Sequence, residues 1–303
     1  MTNRTRGVML ALVTAVISGV AVFVNKYAVG AITPPLVFTA TKNSIVGLVI
    51  VSLLLMTRKV GLLKKLKKDE IIKLVAIAVV GGAIPFYLFF TGLSQISAIN
   101  GALIHKSLVL WVALLAIPLL KERLSLWQVA AVGLLFSSNL VVGGFSGFVF
   151  SQGELMVLVA TMLWAVENVI AKKVLATVDP DIVTGARMGL GSVILLVAAQ
   201  VKYPGALLQV TAMNSMQWVW MVLTVVTLLG YTMSWYRALR VAPATLVTSV
   251  LVLATLVTNM LSAIFVTHAW TGGMLVQALM ILVGVGMFVA LGRKKEVSET
   301  VEV

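Results

Sequence analysis

The chain has 303 residues, 60% hydrophobic and 11% charged, with a mean hydropathy of +1.09; soluble domains carry about 45–50% apolar and 25% charged residues, so this composition excludes an ordinary water-soluble globule. Its net charge of +13 would suggest nucleic acid in a soluble protein, but the 23 Lys and Arg fall mostly in short gaps between apolar runs. Cysteine is absent, which excludes a disulfide framework, a thiolate metal site and a cysteine nucleophile.

A transmembrane helix needs about 20 mostly apolar residues. Windows of that kind lie near 7–28, 35–57, 72–92, 97–118, 125–145, 153–175, 181–201, 214–238, 243–267 and 271–292. They predict an all-α integral membrane protein of ten transmembrane helices. The breaks between them carry turn chemistry, as at Pro34-Pro35, Gly143-Gly144, Asp179-Pro180-Asp181, Tyr203-Pro204-Gly205 and Ala242-Pro243. The first run, behind Met1 to Arg6, has the outline of a signal peptide with a cleavage site at 28–31. The many similar runs that follow favour a membrane span there.

With the N-terminus placed in the cytoplasm, eighteen Lys and Arg fall at the inner ends of spans, and only Lys26 and Lys202 at the outer ends. The positive-inside rule then puts both termini in the cytoplasm and the protein in the cytoplasmic (inner) membrane. The chain also repeats itself. Lys26-Tyr27 aligns with Lys172-Lys173 at an offset that also sets Pro34 on Pro180, Thr41 on Arg187, Phe90 on Tyr236 and Ser125 on Thr271. Residues 1–146 and 147–292 are thereby two five-helix halves, followed by a tail at 293–303. Five is odd, so the halves face opposite ways, the inverted-repeat plan of many secondary transporters.

The segment Leu119-Leu120-Lys121-Glu122-Arg123-Leu124-Ser125-Leu126-Trp127-Gln128, the Ala-rich start Ser97-Ala98-Ile99-Asn100-Gly101-Ala102, and Arg187 in the seventh span resemble the drug/metabolite transporter superfamily, EamA-like branch. The resemblance covers nearly the whole chain and implies ten helices, inverted repeats and carrier-type movement of small metabolites, with no single substrate. Two departures stand out. This chain reads Ser107-Leu108-Val109-Leu110 where the family often has a mid-helix proline, and His268-Ala269 where its own first half has Glu122-Arg123.

Ionisable residues inside spans are expensive in lipid and are functional candidates by default. Here they are Lys42, His105, Lys106, Glu167 and Arg187. At about 1.5 Å per residue, Glu167 and Arg187 share a depth, which is read either as a structural ion pair or as a carboxylate exchanging a proton or coupling ion. Trp164, Glu167, Asn168 and Ala171 follow an i, i+3, i+4, i+7 pattern and share one helical face. That face suits an amino or cationic group, through cation-π contact and hydrogen bonds, or an interhelical seam. Lys42 and Lys106 have no acid nearby in sequence, so they are neutral, paired with Glu167, waiting for an anionic ligand such as a carboxylate or phosphate, or snorkelling to the interface; His105 reads as a packed residue or a proton relay. The candidate substrate-binding set is therefore Lys42, His105, Lys106, Trp164, Glu167, Asn168 and Arg187, with no catalytic, cofactor or metal site.

The aromatics Phe86, Tyr87, Phe89, Phe90, Trp111, Tyr231, Trp235 and Tyr236 either pack or line a path. Gly185 with Gly189, and Gly284 with Gly286, read as close helix contacts. Glu122-Arg123 reads as a capping or solvated pair with a gate as the alternative, and Lys64 to Lys73 as a topology determinant that also meets anionic lipid. An intramembrane serine protease is the rival from another class, on Gly144-Phe145-Ser146-Gly147 and His268; a channel and a lipid-linked substrate flippase are the others. The expected function is a secondary transporter, read as an exporter of amino acids or similar small polar metabolites. It would work by alternating access, coupled to protons, as a monomer or weak dimer, with its site near the midplane between the second, fourth, sixth and seventh spans and the ninth as a further candidate.

Overall fold

The computed structural model describes residues 3–29, 33–96, 98–141 and 147–301, without the side chains of 98–99 and 291–301. Gly30 and Ala31 of the cleavage-site reading, most of Gly144-Phe145-Ser146-Gly147, and the tail side chains lie outside that set. Among the described residues every regular element is helical. Nine helices of the described residues are long and apolar enough to cross a membrane: α1 (Asn3–Ala28), α2 (Pro35–Met56), α3 (Lys68–Leu93), α4 (Asn100–Leu120), α6 (Gln152–Val174), α7 (Pro180–Lys202), α8 (Ser215–Val241), α9 (Ala244–Thr267) and α10 (Gly272–Ala290). The fifth apolar helix, α5 (Leu126–Leu140), is shorter than these nine, and the last residues of the 125–145 window lie outside the described set.

Local chemistry sets the ends. Pro35 and Pro180 occupy first-turn positions of α2 and α7, where a missing N–H costs nothing. Ser125 with Gln128, Ser151 with Glu154 and Asn214 with Gln217 form reciprocal capping boxes at α5, α6 and α8. The internal repeat is visible element by element. Seven-residue 3-10 turns, Lys59–Lys65 and Ala206–Ala212, follow α2 and α7. Left-handed residues, Lys121 and His268, end α4 and α9.

These pairs correct the constant offset in detail. Pro180 answers Pro35 rather than Pro34, and His268 answers Lys121 rather than Glu122. Single-residue drift between halves is absorbed in the loops, where no side-chain face has to be kept.

Four helices depart from regular α geometry inside the bundle. α3 and α7 carry π turns at Ala78–Ala83 and Ala186–Leu190. A Cβ at Gly82 would lie 2.1 Å from the Arg187 carbonyl oxygen, so these turns meet backbone to backbone and only glycine fits. α4 breaks at Ser107 and α9 at Val252-Leu253, the same relative place in each half. The α4 segment Leu108–Leu120 packs on the α9 segment Ala244–Leu251. Both α4 segments also pack on α6 and both α9 segments on α1, and Ala98–Lys106 reaches α3 as well.

Candidate functional site

The α6 face predicted from spacing is real and buried. Trp164, Glu167, Asn168 and Ala171 all point inward, and Glu167 is 1% exposed. It sits there because α3 presents Gly81, where a Cβ would come within 2.3 Å of Glu167 Cγ. Arg187, from the π turn of α7, reaches the same point, with Nη1 3.9 Å from Glu167 Oε2. The Tyr236 hydroxyl of α8 stitches the pair: it donates to Glu167 Oε1 (2.5 Å) and accepts from Arg187 Nη1 (3.4 Å). Gly81 O accepts from both Trp164 Nε1 (3.0 Å) and Arg187 Nε (3.3 Å). Trp235 Nε1 donates to Asn168 Oδ1 (3.0 Å). Charges in a low-dielectric interior survive only when paired and hydrogen-bonded, and this network meets that condition among its own members.

The second group is different. Lys42 of α2 is 2% exposed; its ammonium donates to Asn25 Oδ1 at 3.1 Å and lies over the Phe38 and Phe90 rings at 5.0 and 4.7 Å. Cation-π contact and a neutral amide replace the missing carboxylate. From Phe90 an aromatic wall runs through Phe89 and Phe86 to Trp164, with His105 against Phe89 (5.0 Å) and Trp164 (5.1 Å). His105 Nδ1 is buried without a hydrogen-bond partner among the described residues. Lys106, half-buried at the α4 break, has no hydrogen bond or ion pair among the described residues. The fold thus joins Lys42, His105, Trp164, Glu167, Asn168 and Arg187 in one contiguous cluster, and sets Lys106 beside its histidine corner.

Sequence reading passed over the ionic network where α2 ends, α7 begins and α8 ends, which we call the basic end. Lys59 Nζ pairs with Asp179 Oδ2 (3.0 Å) and Asp181 Oδ2 (2.6 Å), and Arg237 Nη2 with Asp181 Oδ1 (2.5 Å). The Asp181 hydrogen bond raises the Lys59 pKa against its partial burial. Burial pushes Asp179 up, but the Asp181 N–H and Lys59 outweigh it and hold the carboxyl below its ordinary range. The signal was available: Asp and Glu number only 10 in the chain, and two of them flank Pro180.

Nearby, Glu122 accepts from Ala244 N (2.7 Å), Thr245 N (3.2 Å) and Thr245 Oγ1 (2.6 Å), and so caps α9 from the other half. Lys172 Nζ donates to the Leu239 and Ala242 carbonyls at the end of α8. Among the described residues no group of three or more His, Asp or Glu is placed to hold a metal.

The EamA-like transporter family matches residues 5–144 and, a second time, residues 151–290. An uncharacterized transporter from Methanothermobacter thermautotrophicus (strain Delta H) is 27% identical over 139 residues, a match spanning 44% of this chain and 40% of that relative. A protein of known crystal structure superposes with a TM-score of 0.80 at 19% identity, over 97% of this chain and 99% of its own. At that identity the likeness is one of fold.

Proposed function

The chain belongs to the EamA-like transporter family and is a multi-pass membrane transporter, and from that premise we propose that it is a secondary carrier of amino acids or similar carboxylate-bearing metabolites. The observation that carries this reading is the pair of lysines without a carboxylate. Lys42 is held by an amide and two rings, and Lys106 sits at a helix break with its ammonium unpaired. Buried cations of this kind are matched by a ligand anion. In this reading the substrate carboxylate docks at Lys106, with Lys42 as the deeper cation, and its amino group lies against Trp164 and His105. Glu167 and Arg187 fix the shape of that wall, and Glu167, through Tyr236, is the group for proton coupling.

The halves are inverted repeats, and the basic end faces the cytoplasm. Helix breaks at equivalent places in α4 and α9 support a site near the midplane, because irregular backbone at that depth occurs where it lines a cavity. Contacts between the halves through the Lys59, Asp181 and Glu122 networks support a state closed on the cytoplasmic side, the one from which an exporter releases its solute outside.

The test is counterflow by purified protein in liposomes, with labelled amino acids, organic acids, sugars and cationic dyes, with and without a proton gradient. Saturable counterflow of a carboxylate-bearing solute, abolished in Lys106→Met, is the expected result. Transport of uncharged or cationic solutes alone, or full activity in Lys106→Met, overturns the site. Rates indifferent to an imposed pH gradient overturn the proton coupling.

A further inference from the structure

At the basic end, α1, the α2–α3 loop, the start of α7 and the end of α8 enclose a cleft of about 230 Å3. Four cationic side chains line it, Arg6, Lys59, Arg237 and Arg240, against two carboxylates, Asp179 and Asp181. Both carboxylates are engaged. Asp179 accepts from Lys59 and from the Asp181 N–H (2.9 Å), and Asp181 is shared by Lys59 and Arg237. Arg6 and Arg240 are exposed on the cleft wall; Arg240 acts on Asp179 through its field, and neither arginine makes an ion pair at contact distance among the described residues.

Two charges are therefore left over, in a concavity rather than on an open face. Guanidinium forks match the oxygens of a phosphate two at a time. A phosphate charge of about −1.5 to −2 would balance the lining. Leu10 and Val241 supply an apolar rim beside the two arginines, so the cleft offers a cationic pocket next to a surface that accepts hydrocarbon. α1 and α8 hold it rigidly, for a Cβ at Gly7 would lie 2.5 Å from the Ala242 Cβ.

We propose that this cleft is a phosphate-binding site, gripped by Arg6 and Arg240 and steadied by the Lys59 and Arg237 pairs. Its ligand is a phosphate carried either on an anionic lipid headgroup or free in solution. The site lies apart from the lysines assigned to the transported solute and does not depend on that assignment.

The experiment is thermal unfolding of the purified full-length chain in detergent. It is titrated separately with inorganic phosphate, dioctanoyl phosphatidic acid and dioctanoylglycerol, each against sodium chloride at matched ionic strength. The expected result is a saturable rise in melting temperature with a phosphate-bearing probe and none with dioctanoylglycerol. The midpoint should move at least about tenfold higher in Arg6→Gln and in Arg240→Gln, given about 1.4 kcal/mol per tenfold and the strength of charged hydrogen bonds. Arg58→Gln, an exposed cation outside the cleft, should behave as the parent. Saturation by both phosphate probes supports the site for either source, and saturation by phosphatidic acid alone supports it with lipid as occupant. A shift no larger than matched salt gives, a shift retained in both arginine variants, or an equal loss in Arg58→Gln overturns the proposal.

Discussion

Lys106 and Glu167 were indistinguishable by rule, since both are ionisable residues inside apolar runs, yet they sit in opposite situations. Glu167 is closed in by Tyr236, Arg187 and the Gly81 backbone, whereas Lys106 has no partner to lose. Replacing Lys106 by Met is therefore expected to abolish counterflow with little change in melting temperature. Glu167→Gln is expected to lose transport and also to destabilise, because Arg187 is left as an uncompensated buried charge; breaking such a pair costs about 3–5 kcal/mol. Melting curves and counterflow on both variants separate the two roles, and equal melting would show that the Glu167 network holds nothing together. The shared depth of Glu167 and Arg187 was legible from helical rise alone. The third member, Tyr236, was not, because it lies 69 residues further along and spacing carries no information between helices.

Helix ends are governed by short-range rules, so the capping boxes at Ser125, Ser151 and Asn214 could be read directly. Glu122 caps a helix in the other half of the molecule, and no local rule reaches that far. Glu122→Ala is expected to cost about 1–2 kcal/mol, as loss of an N-cap does, visible as a lowered melting temperature; an unchanged value would make the cap decorative. The π turns are a second element-level feature that composition does not announce. Gly82→Ala should destabilise more than Gly133→Ala, since a Cβ at Gly82 meets the Arg187 backbone while one at Gly133 meets open space. Comparison of their melting temperatures checks it, and equal effects would remove the packing argument. The breaks at Ser107 and Val252-Leu253 carry neither glycine nor proline. The resemblance flagged the first only as a place where a proline is missing.

For the whole molecule, the ionic contacts at the basic end act across the repeat boundary, so they bear on access rather than on any one helix. The chain has no cysteine, and Thr248, 2% exposed at that end of α9, gives a single thiol when replaced. Thr248→Cys is expected to label slowly with a membrane-impermeant maleimide, and several-fold faster when Asp181→Asn is added. Equal rates would show that Lys59 and Arg237 do not hold this end shut. The pH dependence follows from Asp179, whose pKa is depressed: its contribution is complete above the ordinary aspartate value near 3.9 and is lost as pH falls through the lower folded value. Closure, read by the mobility of a pH-insensitive spin label at that position, should therefore hold from neutrality to about pH 4 and be lost only below it.

Sequence by itself determined the solvent, the all-helical class and most span positions, because each follows from composition or local periodicity that lipid enforces; the family and the repeated halves came from motif resemblance and a constant offset between the halves. Only the tertiary structure decided which buried charges are paired, where α4 and α9 break, and which acids pair with the cations of the basic end. Those outcomes depend on which helices face one another, and in a bundle of similar apolar helices that is set by a few glycines and long-range polar contacts rather than by pattern.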